Sequence, residues 1–351
     1  MKHRVKAGFL NRLALGVAGL WVAVLISPFA SAQTSPVLSG GVGFISTTNS
    51  GLTFFQPVIA PVVAVPLGDH VLIESRADLR GLYLPKNGNG PYEGQFFPTL
   101  EYLQADFLVN SHLTITAGRF LTPFNTYSER LTPIWIRNFQ DAPIIFPIGT
   151  RTSGSSDGGM IRGSAAEGHD WQINYTAYFS AESNVDQFIA GRTAGARAGV
   201  FIPSARLEIG GSYERFLQDQ HIDSYGAYLS WQPAKVPVDV RSEYAQSPRG
   251  HGYWIEAAYR FRQPGQGQAW YSGFQPMFRM QQFFRGTPAP GDSLPAANAQ
   301  QADFGLNYNF PHDVRVSSSY SRNFTVAGNS NIWNVALTYR FLFPLLPGGK
   351  H

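Results

Sequence analysis

From residue 37 onward the chain repeats one pattern: short runs in which apolar and polar residues alternate, separated by turns rich in Gly, Pro, Asn, Asp or Ser. A period of two puts successive side chains on opposite faces of an extended strand. In 171–180, Trp171, Ile173, Tyr175, Ala177 and Phe179 share one face and Gln172, Asn174, Thr176, Tyr178 and Ser180 the other. Run 332–343 likewise sets Trp333, Val335, Leu337, Tyr339, Phe341 and Phe343 against Asn334, Thr338 and Arg340. The pattern predicts about sixteen strands, over 37–46, 52–65, 73–80, 96–109, 111–120, 157–166, 171–180, 190–202, 205–217, 222–231, 236–245, 253–261, 268–284, 302–310, 314–324 and 332–343. Pro57 and Pro61 fit poorly in a fully paired second strand.

The links fall into two classes. Those at 66–69, 109–111, 167–170, 203–204, 232–235, 263–267 and 311–313 are short, whereas 85–95, 121–156, 181–189 and 285–301 are longer and rich in turn formers. Short turns at one end and long loops at the other, with an even strand number, describe a transmembrane antiparallel β-barrel. The barrel is expected over 33–343, with its short links periplasmic and 344–351 as a C-terminal tail.

One stretch breaks the rhythm. Residues 118–159 carry Pro123, Pro133, Pro143 and Pro147 amid Phe, Trp and Ile, with neither strand nor helix periodicity. Proline denies such a segment a ladder position, and its apolar groups need burial. Inside a barrel that burial is available if the loop folds into the lumen and narrows it. The loop 121–156 is therefore the expected constriction, with Arg119, Phe124, Glu129, Arg130, Arg137, Asp141 and Arg151 as its candidate residues.

Composition supports the same class. Aromatic residues reach 14% and charged residues only 14%, against about 25% charged in an ordinary globular domain. Lys2, Arg4, Lys6 and Arg12 precede the apolar run 13–26 and an Ala-x-Ala site, so residues 1–32 read as a secretory signal peptide. The leader takes four of the 27 Lys and Arg and none of the 23 Asp and Glu, leaving a formally neutral chain with no call for nucleic acid as a partner. Cysteine is absent, which excludes disulfides and thiol chemistry. The soluble competitors, a β-sandwich or a β-helix, explain the alternation less well, and no short repeat supports a solenoid.

The faces opposite the apolar ones carry Arg76, Arg80, Arg162, Arg197, Arg206, Arg241, Arg260, Arg279, Arg315 and Arg340, along with Glu243 and other acids. Charge toward lipid would cost about 2–4 kcal/mol per Arg at mid-depth. These residues are thus expected to line the lumen, most of them pairing across neighbouring strands. A few Arg facing loop acids could instead set a field that sorts ions by sign. Asp219, His221 and Asp223 read as a solvated turn rather than a metal site, and Ser153–Gly159 as a flexible return rather than a nucleophile elbow or phosphate loop.

Gly118-Arg119-Phe120-x-x-Pro123-Phe124, then Pro133-Ile134-Trp135 and Arg162-Gly163, resemble porins of the phosphate-selective (O/P-type) superfamily and related bacterial porin-like barrels. The resemblance implies a sixteen-stranded, usually trimeric diffusion channel in the bacterial outer membrane, in contact with lipid and lipopolysaccharide. The expected function is passive passage of small hydrophilic solutes and ions, and no local motif supports an enzyme or calls for a cofactor. A channel specific for an anion or organic solute is the alternative. No Lys lies between 87 and 234, so phosphate specificity, which rests on constriction lysines in that superfamily, is not carried over.

Overall fold

The computed structural model describes residues 35–345 apart from 89, 149–153, 186–187, 219–220, 262–269, 290 and 327. The expected leader, residues 346–351 of the tail, Arg151 and Asp219 lie outside the described residues. In chain order the strands are β1 (Val37–Asn49), β2 (Leu52–Leu67), β3 (Val71–Pro85), β4 (Tyr92–Asn110), β5 (Leu113–Leu121), β6 (Ser155–Gly168), β7 (Trp171–Ala181) and β8 (Thr193–Ile202). They continue as β9 (Leu207–Phe216), β10 (Ile222–Trp231), β11 (Val238–Ser247), β12 (Gly250–Tyr259), β13 (Phe274–Arg285), β14 (Ala299–Asn309), β15 (Val314–Thr325) and β16 (Gly328–Pro344). Each pairs antiparallel with its sequence neighbours, and β1 closes the ring against β16, with Val37 opposite Pro344. Closure leaves no unpaired sheet edge, as a strand assembly in hydrocarbon requires. The all-β barrel of sixteen strands is the fold the alternation predicts.

The period-two pattern becomes an inside and an outside. On β16, Trp333, Val335 and Leu337 are 54%, 52% and 52% exposed on the outer face, while Asn334 and Thr338 between them are 0% and 2% exposed toward the lumen. Pro57 and Pro61 are accommodated by an asymmetry of β2. Its ladder to β1 is continuous, but its ladder to β3 skips Gln56-Pro57 and Ala60-Pro61, so each missing N–H falls where pairing lapses. A bulge in β4 puts Tyr102 opposite Arg76 and Leu100 opposite Ala77, so Glu101 has no partner in the ladder. That extra residue turns its carboxylate onto the Arg76 guanidinium.

The strand ends define two rims. The terminal rim carries Val37, Pro344 and the links 68–70, 111–112, 169–170, 203–206, 232–237, 260–273 and 310–313, and the loop rim carries the rest. One link departs from expectation. Residues 260–273 are not a short turn, because β13 begins at Phe274 rather than near 268 and Trp270–Gly273 form a 3₁₀ turn ahead of it. On the loop rim, 50–51 and 248–249 are tight turns, while the long insert lies between β5 and β6. Pro344 still belongs to β16, and the Leu345 N–H donates to Pro36 O at 2.8 Å.

Candidate pore constriction

The insert leaves the wall through a neck. The Thr122 N–H donates to Gly154 O at 2.9 Å, and the Thr122 and Ser156 hydroxyls share a hydrogen bond of 2.8 Å. From there the chain turns inward. Asn125 adopts φ of 53°, its N–H donates to Ser212 Oγ at 2.9 Å, and its amide donates to Tyr244 O at 3.1 Å. A short helix follows, α1 (Tyr127–Leu131). The wall supplies its cap: Glu243 Oε1 accepts from Thr126 N, Thr126 Oγ1 and Tyr127 N at 2.8, 2.7 and 2.9 Å. A carboxylate there meets the unpaired N–H groups and positive end of a helix.

Further along, the insert crosses the bore. Arg130 places two nitrogens on Glu208 of β9 at 2.6 and 3.0 Å. A few residues later Ile134 packs on Ile45, Val58 and Ala336 of β1, β2 and β16, and Arg315 Nη2 donates to Ile134 O at 2.5 Å. In a ring of sixteen, β9 stands opposite β1, so the insert spans the lumen from wall to wall. It then runs along β12 to β14. Phe139 packs on Ala258 and Met277 beneath the Arg279 guanidinium, 4.7 Å from the ring centre. Asp141 O accepts from Arg279 at 3.0 Å, and Asp141 Oδ2 accepts from Asn334 at 2.8 Å. Phe124, Tyr127, Leu131, Ile145 and Ile148 form an apolar cluster with Ala245, Trp254 and Phe283 of the wall. The proline-rich, aromatic stretch is therefore a packed element inside the barrel.

Strand glycines mark its docking points. A Cβ on Gly41 would lie 2.5 Å from the Trp135 ring, one on Gly43 2.5 Å from Ile134 Cδ1, and one on Gly226 2.2 Å from Asn125 Oδ1. Sequence reasoning missed these positions, although a glycine inside a strand often signals the close approach of another backbone. It also missed Asn125, Thr126, Ser212 and Asn334, neutral side chains whose roles rest on hydrogen bonds with no motif.

The seven constriction candidates separate. Glu129 is engaged by Arg197, Arg130 by Glu208 and Asp141 by Asn334 and Arg279. Phe124 sits in the apolar cluster rather than on the open bore. Arg137 is buried on the insert with no described carboxylate in ion-pair range. Arg119 corrects the expectation. It lies opposite Leu103 and Asp157, on the outer face of β5, bonds Asp157 at 2.9 Å and Leu100 O at 2.9 Å, and faces the Phe188 ring. Phe120 beside it points inward against Met160 and Tyr178. The alternation of the expected strand 111–120, carried to its end, sets Arg119 on the face of Leu113, Ile115 and Ala117; only its place at the mouth of the loop pointed to the constriction.

The lumen arginines are largely neutralised by neighbours. Arg76 pairs with Glu101, Arg80 with Asp78 at 2.7 Å, Arg162 with Asp106 at 3.1 Å, Arg241 with Asp239 at 2.5 Å and Arg279 with Asp303 at 2.7 Å. Glu243 lines the lumen as the helix cap. Arg206, Arg260 and Arg340 are exposed near the terminal rim. Arg315 is buried and held by Ile134 O of the insert. Among the described residues no cluster of His, Asp or Glu has the makings of a metal site. Asp223, from the turn weighed for cation binding, accepts from Tyr213 at 2.6 Å.

No family model matches the sequence. No curated protein matches it either. Solved structures do match in fold. OmpF of Salmonella typhi, in complex with daunomycin, aligns with TM-score 0.60 at 13% identity over 89% of this chain and 99% of its own. OprB of Pseudomonas putida aligns with TM-score 0.57 at 8% identity over 93% and 96%. An anion-selective porin from Comamonas acidovorans aligns with TM-score 0.56 at 9% identity over 88% and 99%. At these identities the likeness is one of architecture, and on that ground the chain has the fold of bacterial outer-membrane porins.

Proposed function

We propose that this protein is an outer-membrane porin through which small hydrophilic solutes and ions pass by passive diffusion, a channel rather than an enzyme. The observation that carries the reading is the insert 122–154, held to both sides of a closed, polar-lined bore by Glu243, Glu208, Arg315 and Asn334. A wall with apolar residues outside and hydrogen-bonded polar groups inside suits hydrocarbon on one face and water on the other. An insert anchored across that bore restricts passage by size. The short-linked terminal rim would face the periplasm and the loop rim the outside. Lipid and lipopolysaccharide would surround the wall, and a homotrimer is the assembly we expect. Glu129, Arg130, Arg137 and Asp141, fixed on the insert, would shape the narrowest passage.

The test is conductance of purified protein in planar bilayers. Stepwise ohmic conductance that grows when the insert is loosened supports the reading. Well-inserted protein that passes no current would overturn it.

A further inference from the structure

Beneath the insert, toward the terminal rim, lies a cavity of 450 Å³ between the underside of the loop and strands β8 to β11. Its volume falls within the range of sites for small organic ligands, about 300–1,000 Å³. Three guanidiniums, those of Arg130, Arg206 and Arg241, stand in its wall with one carboxylate, Glu208. Arg130 is committed to Glu208 through both terminal nitrogens. Arg241 gives Nε and Nη2 to Asp239 and keeps a buried Nη1 with no partner. Arg206 is exposed and forms no described ion pair. Its backbone φ of 47° fixes it in the turn before β9. The local balance is positive by one guanidinium, and the free donors open to the cavity are those of Arg206.

The rest of the wall is mixed, with Thr126, Ser230 and Gln232 beside an apolar patch. Leu131 and Ile136 come from the insert and Phe201 from the inner face of β8, and Ile136 is 44% exposed. An inorganic ion would leave that apolar surface wet, and a cation would meet the uncompensated charge. A solute with an anionic head and a short apolar body satisfies both halves: the head takes the donors of Arg206, and the body covers Ile136, Leu131 and Phe201.

We infer that this cavity is a binding site for amphiphilic organic anions, a carboxylate or sulfonate on a short aliphatic body. The inference builds on the channel reading, since a lumen site retains a passing solute, but binding is measurable without current. In the test, hexanoate is titrated into the full-length protein, refolded in detergent, with ligand-observed NMR as the readout. Hexanol and hexylammonium serve as controls that lack or reverse the head charge. Saturable hexanoate binding is expected, absent for hexylammonium and weaker for hexanol. Arg206→Gln should weaken it about tenfold, the worth of one charge-assisted hydrogen bond. Lys86→Gln, which removes a charge at the far rim, should leave it unchanged. Phe201→Ala should weaken hexanoate more than acetate, which separates the apolar contact from the charge. Absence of saturable binding, or equal binding of hexanoate and hexylammonium, or an Arg206→Gln protein that binds as before, each overturns the inference. Protein that conducts but binds no hexanoate refutes this site alone, and protein that binds hexanoate without conducting refutes the channel reading alone.

Discussion

Glu243 of β11 accepts the backbone N–H groups of Thr126 and Tyr127 at 2.8 and 2.9 Å, so a wall carboxylate caps the helix that begins the crossing. The same side chain takes the Thr126 hydroxyl and, through Oε2, the Trp254 indole N–H at 3.3 Å. Glu243→Ala leaves those donors buried and unpaired, a loss of about 1–3 kcal/mol for hydrogen bonds to a charged group. The expected outcome is a larger, noisier single-channel conductance and a lower melting temperature by circular dichroism, with Glu243→Gln in between. An alanine variant with unaltered conductance would show that the cap does not hold the insert.

The second anchor is steric. Trp135 lies flat over Gly41, where a Cβ would meet ring carbons at 2.5, 2.8 and 3.1 Å. Gly41→Ala should cost about 1–3 kcal/mol as overpacking, because a rigid ring on a packed insert has little room to yield. Trp135→Ala removes the obstacle, so adding it to Gly41→Ala should erase the methyl's cost. A double-mutant cycle by thermal melting measures that coupling. Additive effects would place Trp135 away from Gly41 in solution.

Much of the architecture was legible before any coordinates. Alternation gave the strands because one face meets lipid and the other water, and Asn334 and Trp333 obey that rule on adjacent residues. The insert announced itself through its prolines and aromatics. Its docking was not legible, because the contacts rest on Asn125, Ser212 and backbone carbonyls, which have no spacing to read. The strand end beside it misled for a different reason: nearness to the loop in sequence outweighed the period-two parity of the strand. Arg119 was thus assigned to the pore, although it shares the face of Ile115 and Ala117 on the outer wall. The start of β13 was missed as well, since Trp270 and Tyr271, residue types that favour strands, here sit in a 3₁₀ turn.

That placement of Arg119 makes a prediction. Asp157→Asn weakens the pair on the outer wall, while Leu100 O and the Phe188 ring continue to hold the guanidinium. Stability should fall by about 1–3 kcal/mol, the range for a lost charged hydrogen bond. Ion selectivity from zero-current potentials should stay as it was, because neither group faces the bore. A changed potential with unchanged stability would return Arg119 to the constriction.

The last prediction concerns acid. Asp292, in the loop-rim link 286–298, accepts from Arg285 Nη2 at 2.5 Å, Leu294 N at 3.1 Å and Ala289 N at 3.2 Å. Burial raises its pKa, but the Arg285 hydrogen bond and the two backbone N–H groups outweigh it and hold the carboxyl below its usual 3.8. A depressed carboxyl stabilises the fold fully above its ordinary value and loses that contribution as pH falls through the folded value. The link should therefore stay ordered at neutral and mildly acidic pH and loosen only below 3.8. Leu294 packs against the cluster around Phe124 and Trp254, so its release would uncover one edge of the insert. Hydrogen exchange at the Leu294 and Ala289 amides should accelerate in that window, and Asp292→Asn should show the fast exchange already at neutral pH. Equal protection in the variant and the parent at pH 7 would mean that Asp292 does not order this link.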